Sequence, residues 1–142
     1  MILVQKGVAH PWMCDVLDHL TTRHYVAMFD DAAYHLLFGV FGWAGASDAD
    51  DKIGWADVRH VIEYRAEVAA GDVLEIRAGL TRIGTKSITI FYEMTNLGKN
   101  ETAATLECVC VLFDLQTRES IELSDQLRES ASKHLIKTAD NG

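Results

Sequence analysis

The chain has 142 residues, of which 49% are hydrophobic and one is proline, the size of one compact domain with a substantial core. A formal net charge of -8 excludes a general nucleic-acid binder, because counterion release on a phosphate backbone needs clustered Lys and Arg that this sequence lacks. Cys14, Cys108 and Cys110 make no even disulfide framework and fit a reducing compartment. Met1-Ile2-Leu3-Val4-Gln5-Lys6-Gly7 lacks the charged and apolar regions of a signal peptide, and no apolar run has the length of a membrane span, so a soluble cytoplasmic protein is expected.

In chain order, Ile2 to Ala9 reads as a first strand whose pairing the sequence leaves open. The next segment, Cys14-Asp15-Val16-Leu17-Asp18-His19-Leu20-Thr21-Thr22-Arg23-His24-Tyr25, carries two carboxylates, two imidazoles, two hydroxyls and a guanidinium directly ahead of a long apolar helical pattern. From Thr22 to Phe41 apolar residues follow 3,4 spacing through Tyr25, Phe29, Ala32, Leu36 and Val40, which predicts one helix with a wide buried stripe. Thr21 or Thr22 is the expected N-cap, and Gly39 and Gly42 offer the exit. Residues 45–51 read as a polar loop.

After that loop the period changes to two. Val58, His60, Ile62, Tyr64, Ala66 and Val68 alternate with Asp57, Arg59, Val61, Glu63, Arg65 and Glu67, a strand with one core face and one mostly charged face. Leu74 to Leu80, Ile88 to Met94 and Ala104 to Leu112 repeat the pattern, with Cys108 and Cys110 on one face as small hydrophobes. The short glycine-bearing separators predict an antiparallel meander, and Ser124 to Ile136 reads as a terminal helix with Leu127, Ala131 and Leu135 on one stripe. The expectation is an α+β fold in a single domain over residues 1–142, with a core of about residues 2–115 and a C-terminal helix of about 124–136.

A helix N-terminus presents free backbone N–H groups and partial positive charge, so it suits an anion or an oxygen that becomes negative in a transition state. The same residues also read as turn formers and caps: Asp15 and Asp18 bonding their own backbone, His19 and His24 solvated. His60, on the apolar face of its strand, reads as a core or pocket-wall histidine. Asp30 and Asp31, inside the helix, read as solvated or as contacts to a partner subunit. The six histidines show neither a metal-binding helix motif nor the cysteine spacing of a zinc site, so no metal is expected.

With Asp15, His19, Arg23-His24-Tyr25 and Phe29-Asp30-Asp31-Ala32 at these spacings, the chain resembles the hotdog-fold acyl-CoA thioesterases of the 4-hydroxybenzoyl-CoA thioesterase-like superfamily, and among them those linked to carnitine and betaine metabolism. The similarity extends to Glu67-Val68-Ala69-Ala70-Gly71-Asp72 and Phe91-Tyr92-Glu93-Met94, spanning most of residues 4 to 115. The resemblance implies a hotdog fold, an antiparallel sheet wrapped around one long central helix. It also implies a homodimer or homotetramer and hydrolysis of an acyl-CoA to an acid and free CoA, without a cofactor. Two positions depart from the family pattern: Asp18 stands where a glycine is expected before the histidine, and Thr21 where an asparagine is expected after it.

Carried over residue by residue, Asp15 is the nucleophile or general base, and the backbone N–H groups around Thr22 and Arg23 polarise the thioester oxygen. His19 orients Asp15 or water, and Thr21 positions water. Arg23, Tyr25 and His60 are candidate substrate contacts, as are Arg82 and Lys86, joined by Lys99, for the CoA phosphates. Leu36, Leu37, Tyr64 and Tyr92 are the residues whose packing would set pocket volume. Two other functions stay open on the sequence: a non-catalytic acyl-CoA or acyl-carrier binding protein, and a hotdog enoyl-CoA hydratase or dehydratase, to which His10-Pro11 points.

Overall fold

The computed structural model describes residues 1–45 and 52–137. Its elements are β1 (Ile2–Val8), a single 3-10 turn (Pro11–Met13), α1 (Thr22–Phe41), β2 (Ile53–Tyr64), β3 (Val73–Ile83), β4 (Ser87–Asn96), β5 (Glu101–Asp114) and α2 (Asp125–Ser132). The expected polar loop at residues 45–51 lies, beyond Gly45, outside the described residues.

α1 has the bounds that its 3,4 spacing predicts, and it ends where Gly42 enters the left-handed region at φ +67 and returns its N–H to the Phe38 carbonyl at 2.8 Å. Gly39 stays inside the helix. The apolar stripe of Tyr25, Phe29, Ala32, Leu36 and Val40 packs into one core with the inward residues of the sheet, among them Ile76, Leu80, Ile90, Tyr92, Leu106 and Cys108. Each large side chain so buried contributes about 1.5–3 kcal/mol relative to exposure.

The five strands form one antiparallel sheet in the order β1-β3-β4-β5-β2. A long helix lying against the inner face of such a sheet is the hotdog arrangement. The expected meander holds for β3, β4 and β5 only: β2 pairs with β5, not β3, and so forms the far edge. The strand expected to run on to Val68 leaves the ladder after Tyr64. Residues 65–72 then cross under the start of α1, tied by Arg65 N–H to the Ala103 carbonyl at 2.8 Å and by Leu20 N–H to the Val68 carbonyl at 2.7 Å. Alternating polarity reports an extended, half-buried chain, and this crossover is extended and half-buried without being a ladder strand.

Ser124 caps α2, its side-chain oxygen accepting the Leu127 N–H at 3.2 Å. Leu135 falls outside this helix. Residues 134–136 instead lie along β3, where Leu80 N–H donates to the His134 carbonyl at 3.0 Å and Ile136 N–H to the Leu80 carbonyl at 2.8 Å. Gly79 makes room for that segment: a Cβ there would lie 2.5 Å from Ile136 Cγ2. Among the described residues no helix is long and apolar enough to cross a membrane.

Candidate active site

The polar segment ahead of α1 folds into a compact loop organised by Asp15. Asp15 Oδ1 accepts the N–H of Leu17 at 2.8 Å and of His19 at 3.3 Å, while the Asp15 carbonyl accepts the Asp18 N–H at 3.0 Å. The second carboxylate oxygen, Oδ2, has no hydrogen-bond partner among the described residues. Asp18 sits at φ +60, in the left-handed region that glycine enters freely and that aspartate tolerates better than most residues. The departure from glycine at this position is thus accommodated by the backbone of the turn itself.

Thr21 is the N-cap of α1, but its hydroxyl makes no capping bond, contrary to expectation. Its carbonyl accepts the N–H groups of His24 at 2.9 Å and Tyr25 at 3.3 Å. The amides of Thr22 and Arg23, the first of the helix, therefore find no acceptor among the described residues. Uncapped amides at the positive end of a five-turn helix are a ready site for an oxygen that gains charge.

The start of α1 borders, at Thr22, a cleft of about 310 Å³ lined in part by His19, Thr22, Tyr25, Tyr64, Arg65 and Glu67. The crossover supplies one wall. His19 pairs in an isolated bridge with Ala69, and its ring turns to Glu67, with Nε2 3.2 Å from Oε2. The imidazole thus addresses Glu67, whereas Asp15 meets His19 only through the backbone N–H. At the far end of the crossover, Gly71 turns the chain at φ +91, and Asp72 Oδ2 accepts both the Ala69 N–H and the buried Asn96 Nδ2 at 2.9 Å. Tyr25 and Tyr64 meet edge to face, with ring centroids 5.0 Å apart. Burial first, then the nearby Tyr64, Asp72, Cys14 and Glu67, pushes the Tyr25 phenol above its usual range, so it stays a neutral donor.

Asp15 is not itself a lining residue; it adjoins the cleft through His19. Arg23 is exposed on the first turn. Arg82 and Lys86 lie at the β3–β4 hairpin, at the opposite end of β3 from the crossover, roughly 30 Å away at strand rise. One chain does not bring them to Asp15. His60 is also away from the cleft: it lies four residues back along β2 from Tyr64 and is held by Asp57, Nε2 to Oδ2 at 2.9 Å. It is neither a core residue nor a wall of this cleft. Lys99 is exposed in the β4–β5 turn. Of the residues expected to set pocket volume, Tyr64 lines the cleft, while Leu36, Leu37 and Tyr92 belong to the core. A larger cavity of about 480 Å³, walled by Phe41, Trp43, Ile53, Trp55, Ile121 and Leu127, lies at the other end of α1 and holds none of the expected site residues.

Glu67 is the site residue that sequence reasoning missed. Its alternation with Val68 places it on an outward strand face, and only the departure of the chain at Tyr64 carries it to His19. Asp30 and Asp31 are exposed, and Glu63 and Glu107 pair with Arg65 and Arg59 at 2.7 and 3.0 Å.

Comparison with known proteins agrees with the fold. The probable thioesterase YbaW of Escherichia coli shares 20% identity, covers 93% of this chain and 98% of its own, and superposes with a TM-score of 0.77. A hypothetical protein of Staphylococcus aureus, solved in complex with CoA, shares 15% identity over 97% of this chain and 89% of its own, with a TM-score of 0.86. A gentisyl-coenzyme A thioesterase shares 18% identity over 91% of this chain and 99% of its own, with a TM-score of 0.76. At these identities the likeness is one of fold. No curated protein sequence matches. The thioesterase-like superfamily, however, matches over residues 9–130, which contain the Asp15 loop, α1, the crossover and the whole of β2 to β5, and the chain belongs to that superfamily.

Proposed function

We propose that the protein hydrolyses an acyl-CoA thioester to a carboxylic acid and free CoA. The observation that carries this reading is the uncapped start of α1, where Thr22 lines a cleft and the adjoining loop holds the Asp15 carboxylate with one oxygen free among the described residues. Thioester hydrolysis needs a base or nucleophile, a polarised carbonyl and a stabilised oxyanion. In this reading Asp15 Oδ2 activates water or attacks the carbonyl carbon. The thioester oxygen sits against the α1 amides, which hold it more strongly as negative charge develops. Glu67 fixes the His19 ring and so the shape of the cleft wall.

Family membership supports thioester chemistry, and the Staphylococcus aureus neighbour bound to CoA supports a CoA thioester as the substrate class. The likeness to carnitine- and betaine-linked thioesterases has no counterpart among these matches, and the acyl group is chosen by experiment. The protein works as a homodimer or homotetramer in this account. β2 is an open edge, and it exposes Val58 at 61%, Val61 at 38% and Tyr64 at 49%, apolar surface that pairing with a second copy would cover.

Release of free thiol over a panel of acyl-CoAs and acyl-carrier thioesters tests the reading. Turnover on acyl-CoAs is expected. Tight binding without thiol release makes the protein a binding module, and loss of enoyl-thioester absorbance without thiol release makes it a hydratase.

A further inference from the structure

A second group of chemistry-bearing side chains lies on the inner face of β2 and β5, away from the cleft. Residues 57 and 60 of a regular strand face opposite ways. Here a bulge between Asp57 and Arg59 inserts Val58 as an extra residue, so that Asp57 stands opposite Cys110 and His60 opposite Cys108 on the same face. Asp57 carboxylate oxygen, His60 imidazole nitrogen and Cys108 Sγ all lie within 4.8 Å of one another. Asp57 Oδ2 and His60 Nε2 are 2.9 Å apart.

We propose that Asp57, His60 and Cys108 form a binding site for a divalent transition metal, zinc in the first instance. The three donors are an oxygen, a nitrogen and a sulfur, a set that suits zinc and cobalt. Tetrahedral zinc with bonds of about 2.0 Å to N and O and 2.3 Å to S needs donor separations of about 3.3–3.6 Å, so the Asp57–His60 pair opens by about 0.4 Å and Cys108 Sγ closes by at most about 1.2 Å. Binding displaces the Cys108 thiol proton to solvent, so a carboxylate, a thiolate, a neutral imidazole and a dication sum to zero charge. The side chains of His60 and Asp57 are 34% and 35% exposed, leaving an entry path and a fourth position for water.

A second observation points the same way. The hydroxyl of Tyr92 is buried without a hydrogen-bond partner among the described residues, although buried phenols normally find one. β4 pairs Tyr92 with Leu106 and Ile90 with Cys108, which sets Tyr92 diagonal to Cys108 on the inner face. The Tyr92 hydroxyl is thus an unpaired polar group on the face of the sheet that carries Cys108. The ion would also pin the edge strand β2 to β5.

The inference is independent of thioester hydrolysis, and its test reads the metal alone. The untagged full-length protein, stripped with chelator and reduced, is titrated with Co²⁺ and followed by absorption. The expected result is one equivalent per chain with a thiolate-to-cobalt charge-transfer band in the near ultraviolet, displaced by Zn²⁺. The band is expected to vanish in Cys108→Ser and persist in Cys14→Ser. His60→Ala, at an exposed position that leaves the fold intact, is expected to weaken Zn²⁺ binding at least about tenfold, the loss known for weaker outer-shell changes. Absence of a charge-transfer band in the wild type overturns the proposal. So does a band that survives Cys108→Ser, follows Cys110 instead, or is indifferent to His60→Ala.

Discussion

His19 Nε2 lies 3.2 Å from Glu67 Oε2, joining the loop ahead of α1 to the crossover that follows β2. The two residues come from segments that no local pattern links. Their meeting forms part of the polar wall of the cleft, while backbone bonds hold the Asp15 loop at the start of the helix, Asp15 N–H to the His19 carbonyl at 2.9 Å and Thr21 N–H to the Met13 carbonyl at 3.0 Å.

Glu67 acts in this account as a positioning residue. Glu67→Gln keeps an acceptor for the His19 ring and is expected to cost less than about tenfold in kcat/KM, whereas Glu67→Ala removes the acceptor and is expected to cost more, mainly in kcat. Steady-state kinetics on the best thioester, with KM and kcat separated, checks this. A loss of a hundredfold or more in Glu67→Gln makes Glu67 the base in place of Asp15.

Asp72 holds the end of the crossover through Asn96 Nδ2 and the Ala69 N–H. Asn96 is buried, so Asp72→Ala strands its amide, and the expected destabilisation is about 1–3 kcal/mol. Urea denaturation monitored by tryptophan fluorescence measures it. Asn96→Leu combined with Asp72→Ala is expected to recover only part of the loss, because the buried Asn96 amide is then gone while the part-buried Ala69 and Lys99 N–H groups have lost their acceptors.

β2 is the strand expected to meet a second copy. Val61→Lys places a charge on its exposed apolar surface and is expected to shift sedimentation toward the monomer while leaving the circular dichroism of the chain unchanged. A wild-type protein that sediments as a stable, active monomer contradicts the oligomeric part of the account.

Much of the fold was legible in the sequence because burial imposes a period. α1 keeps 3,4 spacing from Thr22 to Phe41, and β3, β4 and β5 keep period two with short turns between them. Pairing was less legible. Ala66 and Val68 continue the alternation of β2 although the ladder ends at Tyr64, and the face of β2 expected in the core is exposed at Val58, His60 and Tyr64, since alternation alone does not say what covers a face of an edge strand. The Asp57 group was hidden for a related reason: the bulge at Val58 reverses the face of Asp57, and Cys108 reaches His60 only through strand register. At the candidate active site, the helix start was readable from residue type and spacing, whereas the role of Asp15 comes from the resemblance; residue type reads it as a turn former, which its bonds to the Leu17 and His19 amides match. The free Thr22 and Arg23 amides were expected from the resemblance and not from residue type, because Thr21 is a good capping residue, and its hydroxyl makes no capping bond.

The catalytic assignment of Asp15 is tested most directly by thiol release from the best acyl-CoA, compared between wild type, Asp15→Asn and Asp18→Asn at matched thermal stability. Asp15→Asn keeps the side-chain volume and an oxygen for the Leu17 and His19 amides but removes the carboxylate, so turnover is expected to fall by roughly two or more orders of magnitude with binding retained. Asp18→Asn keeps a residue tolerant of positive φ and is expected to stay near wild-type turnover. Near wild-type turnover in Asp15→Asn, or its abolition by Asp18→Asn alone, contradicts the account.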